Sequence, residues 1–349
     1  MAPVINTAVP QPVWNLVYRG KDITRRISPA VLSVTYTDNL EGQADEVEVV
    51  LEDLDHRWKN AGLPAKGDAL SLTLGYLNAK LLDAGEYQID EVEYNGPPDT
   101  VTIRALAAGV KPSLRTERSA AYEQTTLQAI ATQIAGRHGL TLVGTVPAIS
   151  FARVTQKKET DLAFLKRLGA EWGFVFNVAG KKLIWHNQEN LDAAPVHVTL
   201  TRALLSGSYT FRCKSAQVYR ACKVSYFSAK QKRDITHSFP AKGITTGDIL
   251  TLVGRCESKA HAERKAMAAL RNANGRQTEG VLTLYGDIRL RAGVNVTLSG
   301  WGQLDGDYQI LQSKHTIERG AGYSTTVEFS MNGSHSMKEL RNEKKLVKS

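Results

Sequence analysis

Residues 82–89 read LDAGEYQI and residues 304–310 read LDGDYQI, and a chain that writes the same turn twice is constrained to build the same local unit twice. The likeness extends on both sides. Upstream, Leu70, Leu72 and Leu74 alternate before Gly75 and Tyr76, while Val294, Val296 and Leu298 alternate before Gly300 and Trp301. Downstream, TVTIRA at 100–105 and STTVEFS at 324–330 alternate again. A period of two marks strands with one buried face. In each copy Tyr87 and Ile89, or Tyr308 and Ile310, share one face and are expected in a core. Gln88 and Gln309 fall on the other face and are expected to point outward.

Further β patterns precede each copy: VWNLVY (13–18), AVLSVTYT (30–37) and EVEVVLED (46–53) before the first, SYTFR (208–212) and QVYRACKVSYFS (217–228) before the second. Short strands joined by Gly and Asp turns predict small antiparallel barrels or sandwiches rather than a parallel sheet. Between the copies the period changes to that of helices. Leu127, Ile130, Ala131, Ile134 and Ala135 make one helical face that stops near Gly139. A second helix carries Leu162, Leu165, Leu168 and Trp172, with Thr160 or Asp161 placed to cap its first turn and Gly173 to end it. A hairpin follows, with Phe174, Val175, Phe176 and Val178 outbound, Ala179 to Lys182 turning, and Leu183, Ile184 and Trp185 returning. A third helix, from about Ser258 to Asn272 and closed by Gly275, interrupts the second β region.

The predicted fold class is therefore mainly β with α+β character: two similar antiparallel β-barrel modules and an interposed mixed α/β domain, interwoven with the second module. The expected bounds are 10–110 for the first module and 111–195 for the mixed domain, joined by 229–276. Residues 196–228 with 277–335 form the second module, and 336–349 a basic tail.

The 349 residues carry 42% hydrophobic and 23% charged side chains, which excludes disorder as the default. The start, MAPVINTAVPQPVW, has no signal-peptide pattern, and no run of about 18 apolar residues occurs, so synthesis in the cytoplasm without membrane insertion is expected. Cys213, Cys222 and Cys256 form no CxxC pair and are expected to be reduced and mostly buried. The net charge of +9 raises nucleic acid as a partner, but the densest basic clusters, KQKRD at 230–234 and KELRNEKKLVKS at 338–349, read as a hairpin tip and a tail.

Known chemical signatures find no support. GLPAKGDA at 62–69 has P-loop glycine spacing, but Asp68 and Ala69 stand where a lysine and a hydroxyl are needed. GxGxxG, GxSxG and HExxH do not occur. The acidic run containing Asp45, Glu46, Glu48, Glu52, Asp53, Asp55 and His56 is a strand by its alternation, with Val47, Val49 and Leu51 on the buried face. His186, His197 and Glu189 lack metal-ligand spacing. No catalytic, cofactor-binding or metal-ligating residue is assigned, and no enzymatic activity is expected.

The ordered series GQADEVEVVLEDLDHRW, KGDALSLTLGY, GEYQIDEVEYNGPP, TTLQAIATQIAGRHGL, ETDLAFLKRLGAEWGFVF and LDGDYQILQSKHTIE resembles the phage late control protein D family, over about residues 10–335. These are baseplate hub proteins of contractile tails, similar to the hub portion of type VI secretion spike proteins. The resemblance implies a homotrimer that joins a hexameric tail tube to a central spike. Its partners would be itself, the tube protein, a separate spike protein and other baseplate proteins, within a phage or a tail-like bacteriocin. Two equivalent modules in each of three subunits match sixfold symmetry. The helix–hairpin segment 155–186 is then scaffold, and the residues of the trimer, tube and spike interfaces stay unassigned. The competing readings are a tail-associated cell-wall hydrolase, for which no acid and nucleophile can be paired, and a basic nucleic-acid-binding protein, for which no recognition helix is evident.

Overall fold

The computed structural model describes residues 9–41, 43–58, 64–107, 116–147, 149–214, 218–228, 231–241, 244 and 246–331. The expected basic tail at 336–349, Lys230 of the basic hairpin tip and the first residues of the 62–69 stretch lie outside them. The protein is mainly β. The first β region contains β1 (Pro12–Tyr18), β2 (Lys21–Asp22), the short α1 (Thr24–Ile27), β3 (Val31–Asn39), β4 (Glu46–Glu52), β5 (Ala69–Tyr76), β6 (Leu82–Asn95) and β7 (Thr100–Ala107). A mixed stretch follows, with β8 (Glu117–Thr126), α2 (Leu127–His138), β9 (Thr141–Val143), β10 (Ser150–Thr160), α3 (Asp161–Trp172), β11 (Phe174–Ala179), β12 (Lys182–Asn187) and α4 (Gln188–Asp192). The remainder holds β13 (Val196–Leu200), β14 (Leu205–Cys213), β15 (Tyr219–Ser228), β16 (Arg233–Pro240), β17 (Asp248–Val253), α5 (Lys259–Asn274), β18 (Thr278–Tyr285), β19 (Asn295–Leu298), β20 (Gly306–Glu318) and β21 (Gly322–Met331).

The repeat is a repeat of strand order. Both β regions belong to one 13-stranded sheet, in which the first copy runs β3-β4-β7-β6-β5-β1 and the second β14-β18-β21-β20-β19-β13. Numbered along the chain, each copy reads second, third, sixth, fifth, fourth, first. One pairing departs from the likeness: β1 lies antiparallel to β5, whereas β13 lies parallel to β19. None of the pairings among the described residues closes the sheet into a ring.

The likeness reaches single atoms. Gly67 and Gly293 turn the chain at φ +86° and +84°, in the left-handed region where a Cβ is strained. Their N–H groups donate to Ile89 and Ile310 at 2.7 and 2.8 Å, and the N–H groups of Ile89 and Ile310 donate back to Asp68 and Val294, both at 3.0 Å. Tyr87 and Tyr308 donate their hydroxyls to the backbone of the turn that precedes them, at Ala84 and Leu304. Each strand then bulges, between Ile89 and Glu91 and between Ile310 and Gln312.

The expected core residues Tyr87, Ile89, Tyr308 and Ile310 are all buried, the first pair among Leu70, Leu72, Val47 and Val49, the second among Leu282, Val296, Val327 and Phe329. The glutamines divide. Gln88 is exposed, as expected, but Gln309 is 2% exposed. The reason is α4, whose Gln188 donates to the Gln309 side-chain oxygen at 2.8 Å and covers a face that the first copy leaves open.

The mixed stretch has its own core, in which Ile130 and Ile134 of α2 and Phe164, Leu165 and Leu168 of α3 pack with Phe176 and Trp185 of the hairpin. The caps form as the sequence requires. Thr126 and Thr160 accept from Ala129 and Ala163, and Gly139 and Gly173 end the helices at positive φ. Thr160 is therefore the cap, and Asp161 turns inward instead. Between β14 and β18 the chain forms a separate sheet, ordered β16-β15-β17, with α5 packed on it. Here the expectation that 217–228 joins the second β copy is corrected. Cys222, Val224 and Tyr226 of β15 face Ala262, Ala266 and Leu270 of α5, so the strand buries its apolar side locally and leaves β14 alone as the second strand of that copy. Ser258 caps α5, accepting from His261. Cys222 and Cys256 are buried, whereas Cys213 is exposed, and all are free.

Candidate functional site

The two copies meet edge to edge, along β20. One side of β20 pairs with β21; the other is shared, residues 306–309 pairing with β19 and residues 312–318 with β3. The bulge makes the hand-over possible, since Leu311 stands out of register and its carbonyl accepts from Leu40 at 2.9 Å. Across the seam, Gln312 opposes Asn39, Lys314 opposes Thr37 and Thr316 opposes Thr35.

Polar side chains add to the backbone ladder at this junction. Gln312 donates to the Asn39 side-chain oxygen at 2.7 Å, and Asn39 donates to Ala44. Asp45 accepts from the Asn39 backbone at 3.0 Å and from Asn177 of β11 at 3.3 Å, tying the mixed stretch to the same point. Asp38 accepts from Arg291 and from the backbone of Ala292. Burial, reinforced by the nearby Asp38 charge, pushes the Asp45 carboxyl up to about 7. His315, fully buried and stacked on Tyr36, is pushed down to about 4 by burial and is held as neutral imidazole between Ser313, the Leu290 carbonyl and Tyr323. This is a built interface within one chain.

The sheet face opposite the core is polar in the first copy. Arg104 of β7 donates to Glu48 of β4 at 3.0 Å and to Glu91 and Glu93 of β6 at 3.2 and 2.9 Å. The Glu48 hydrogen bond, with those of the other two carboxylates, raises the guanidinium above its ordinary value. Three carboxylates share one cation here, so the face stays acidic.

The residues weighed for metal or catalysis do not assemble. Asp53 accepts from the Trp58 backbone at 2.8 Å and His56 lies beside Asp99, as loop supports. His186 sits half-buried on β12 and burial lowers its pKa, whereas His197 is exposed on β13 in another sheet. Among the described residues no group of three His, Cys, Asp or Glu side chains is placed to hold a metal. An Asp–His pair that sequence reasoning missed is Asp161 with His138, at 2.7 Å. Burial raises the Asp161 pKa, but hydrogen bonds from His138, Gln156 and Arg137 outweigh it and hold the carboxyl below its usual range. Both residues are sealed from solvent, so the pair braces α2 against α3. A cavity of about 700 Å³ opens where α3, α4 and α5 meet, lined by Trp172, Phe174, Met267 and Arg271. Its Asp192 is already engaged by the Arg271 guanidinium through two hydrogen bonds.

Over 197 residues the chain is 33% identical to the probable baseplate hub protein of Escherichia phage 186, which covers 55% of this chain and 50% of that protein. Over 176 residues it is 35% identical to the probable baseplate hub protein of Escherichia phage P2, covering 50% of this chain and 45% of that one. The chain thus spans about half the length of the curated relatives it matches. Among solved structures, the 43 kDa tail protein of prophage MuSo2 from Shewanella oneidensis has the same fold, with a TM-score of 0.67 at 14% identity, covering 93% of this chain and all of that one. The family model for the phage tail baseplate hub (GPD) matches residues 86–321, from within β6 to the turn between β20 and β21, and the chain belongs to that family.

Proposed function

We propose that the chain is a structural hub in the baseplate of a contractile tail or tail-like particle, a homotrimer that adapts the sixfold tail tube to the central spike. The observation that carries this reading is the repeated strand order, with the copies joined edge to edge by β20 and β3. A unit that offers the same sheet twice, in series, presents two equivalent surfaces per chain, and three chains then present six. The two copies act as modules of a ring related by about 60° around the tube axis, their sheets closing as barrels in the assembled particle. The mixed stretch, interwoven with the β15–β17 sheet through α5, braces that ring from the side. The particle forms in the bacterial cytoplasm. No catalytic step is assigned.

The test is to delete the coding sequence from the genome that makes the particle and to image the lysate by electron microscopy. Loss of assembled tails is expected, because the proposed adaptor between tube and spike would be missing. Normal tails that fail only to degrade peptidoglycan would overturn the hub reading in favour of a wall hydrolase.

A further inference from the structure

The seam between the two copies leaves two strand edges that match it and have no partner among the described residues. β3, the second strand of the first copy, has β4 on one side and β20 on the other. Its counterpart β14 has β18 on one side and ends the sheet path on the other. β20 meets β3 along residues 312–318, past its bulge. Its counterpart β6 has β7 on one side, and past its own bulge, from Glu91 to Asn95, nothing among the described residues pairs with the other edge. We infer that β14 of one copy of this chain pairs antiparallel with residues 91–95 of β6 in the next copy, repeating between chains the β3–β20 seam found within the chain. This rests on the trimeric hub reading and specifies the surface by which the ring closes.

The register follows from the repeat. Pairing with β7 and β21 equates Glu91, Val92, Glu93, Tyr94 and Asn95 with Gln312, Ser313, Lys314, His315 and Thr316. Pairing with β4 and β18 equates Tyr209, Thr210, Phe211, Arg212, Cys213 with Val34, Thr35, Tyr36, Thr37, Asp38, and Lys214, next in line, with Asn39. Carrying the observed seam across sets Glu91 opposite Lys214, Val92 opposite Cys213, Glu93 opposite Arg212 and Asn95 opposite Thr210.

That register rests on backbone pairing alone, yet it sets two acids against two bases. Glu91 and Glu93 belong to the face where three carboxylates share Arg104; Lys214 and Arg212 share Glu279, which bonds Lys214 at 2.7 Å and lies opposite Arg212. An acidic excess therefore meets a basic one, the arrangement that favours cross-strand pairing and selects register. β14 is also poorly defended as an edge. Seven of its nine residues are exposed, it contains no proline or lysine, and Tyr209 is 45% exposed. An open edge of this kind is a template for another strand.

The native exposed Cys213 makes the pairing measurable. Val92→Cys in the full-length chain puts a thiol opposite Cys213 of the neighbour, at the cross-strand Cβ separation of about 5 Å that oxidation or dibromobimane can bridge. Covalent dimers and closed trimers are expected, absent in Val92→Cys with Cys213→Ser, and absent in Glu93→Cys, whose side chain leaves the other face of the strand. In a Cys213→Ser background, Asn95→Cys with Thr210→Cys, both exposed positions, should link in the same way without touching the core. Oligomeric state is read in parallel by light scattering. A trimer that gives no linkage at either pair overturns the inferred pairing and leaves the hub reading standing. A chain that stays monomeric at every concentration, with no linkage, overturns both.

Discussion

Leu165 and Arg167 are two positions apart on α3 and carry opposite lessons about what a residue pattern reveals. Leu165 is fully buried among Ile130, Phe176 and Trp185, as helical spacing requires, so Leu165→Asp places an unpaired carboxylate in the core. A loss on the order of 4 kcal/mol or more is expected, read by denaturant unfolding or as failure to fold. Arg167 looks like a plain surface residue in the sequence. In the structure it bonds Glu159 at 2.7 Å, Glu171 at 3.1 Å and the Thr155 carbonyl at 3.0 Å, and lies over the Phe164 ring. Arg167→Ala should therefore cost on the order of 1 kcal/mol, whereas Lys166→Ala, at an exposed position, should cost little. Such networks link residues far apart in the chain and have no local signature. The same holds for Asp45, whose raised pKa gives a signed prediction. The folded carboxyl keeps its proton to about pH 7 while the unfolded one loses it near pH 4, so the unfolded state binds fewer protons across that window and stability falls as pH rises through it. His315, neutral in the fold down to about pH 4, contributes in the opposite direction up to the usual histidine range. Asp45→Asn should thus gain on wild type by on the order of 2 kcal/mol between pH 5 and pH 8, measured by chemical denaturation at each pH.

At the scale of elements, the helices and repeated hairpins were legible because their signals are local: threonine caps, glycine stops and alternating apolar positions. β15 was not. Its alternation is that of any half-buried strand, and only the position of α5 decides which sheet it joins. The burial of Gln309 has the same origin, since α4 arrives from a different part of the chain. The two equivalent turns allow a direct comparison. Gly67→Ala puts a Cβ at positive φ in open space and should cost about 1 kcal/mol. Gly293→Ala adds a contact of 3.2 Å with Leu40 at the seam, so it should cost more. Thermal unfolding of the pair checks this; equal costs would mean that the seam side of the second turn is not tightly packed.

For the molecule as a whole, two short copies of one motif pointed to two like units, and the strand order repeats in both, with β13 parallel to β19 where β1 is antiparallel to β5. What the sequence could not convey is how the units join. The seam depends on a bulge at Leu311, a shared edge of β20 and polar side chains from β3, β11 and β20, none of them adjacent in the chain. In the proposed ring that seam is one of six like junctions. Cryo-electron microscopy of the baseplate in the particle that contains this chain tests it most directly. Three copies are expected, with residues 66–105 and 290–330 of each superposing by a rotation of about 60° about the tube axis. Six copies in the ring, or two repeats related by a rotation that sixfold symmetry does not allow, would contradict it.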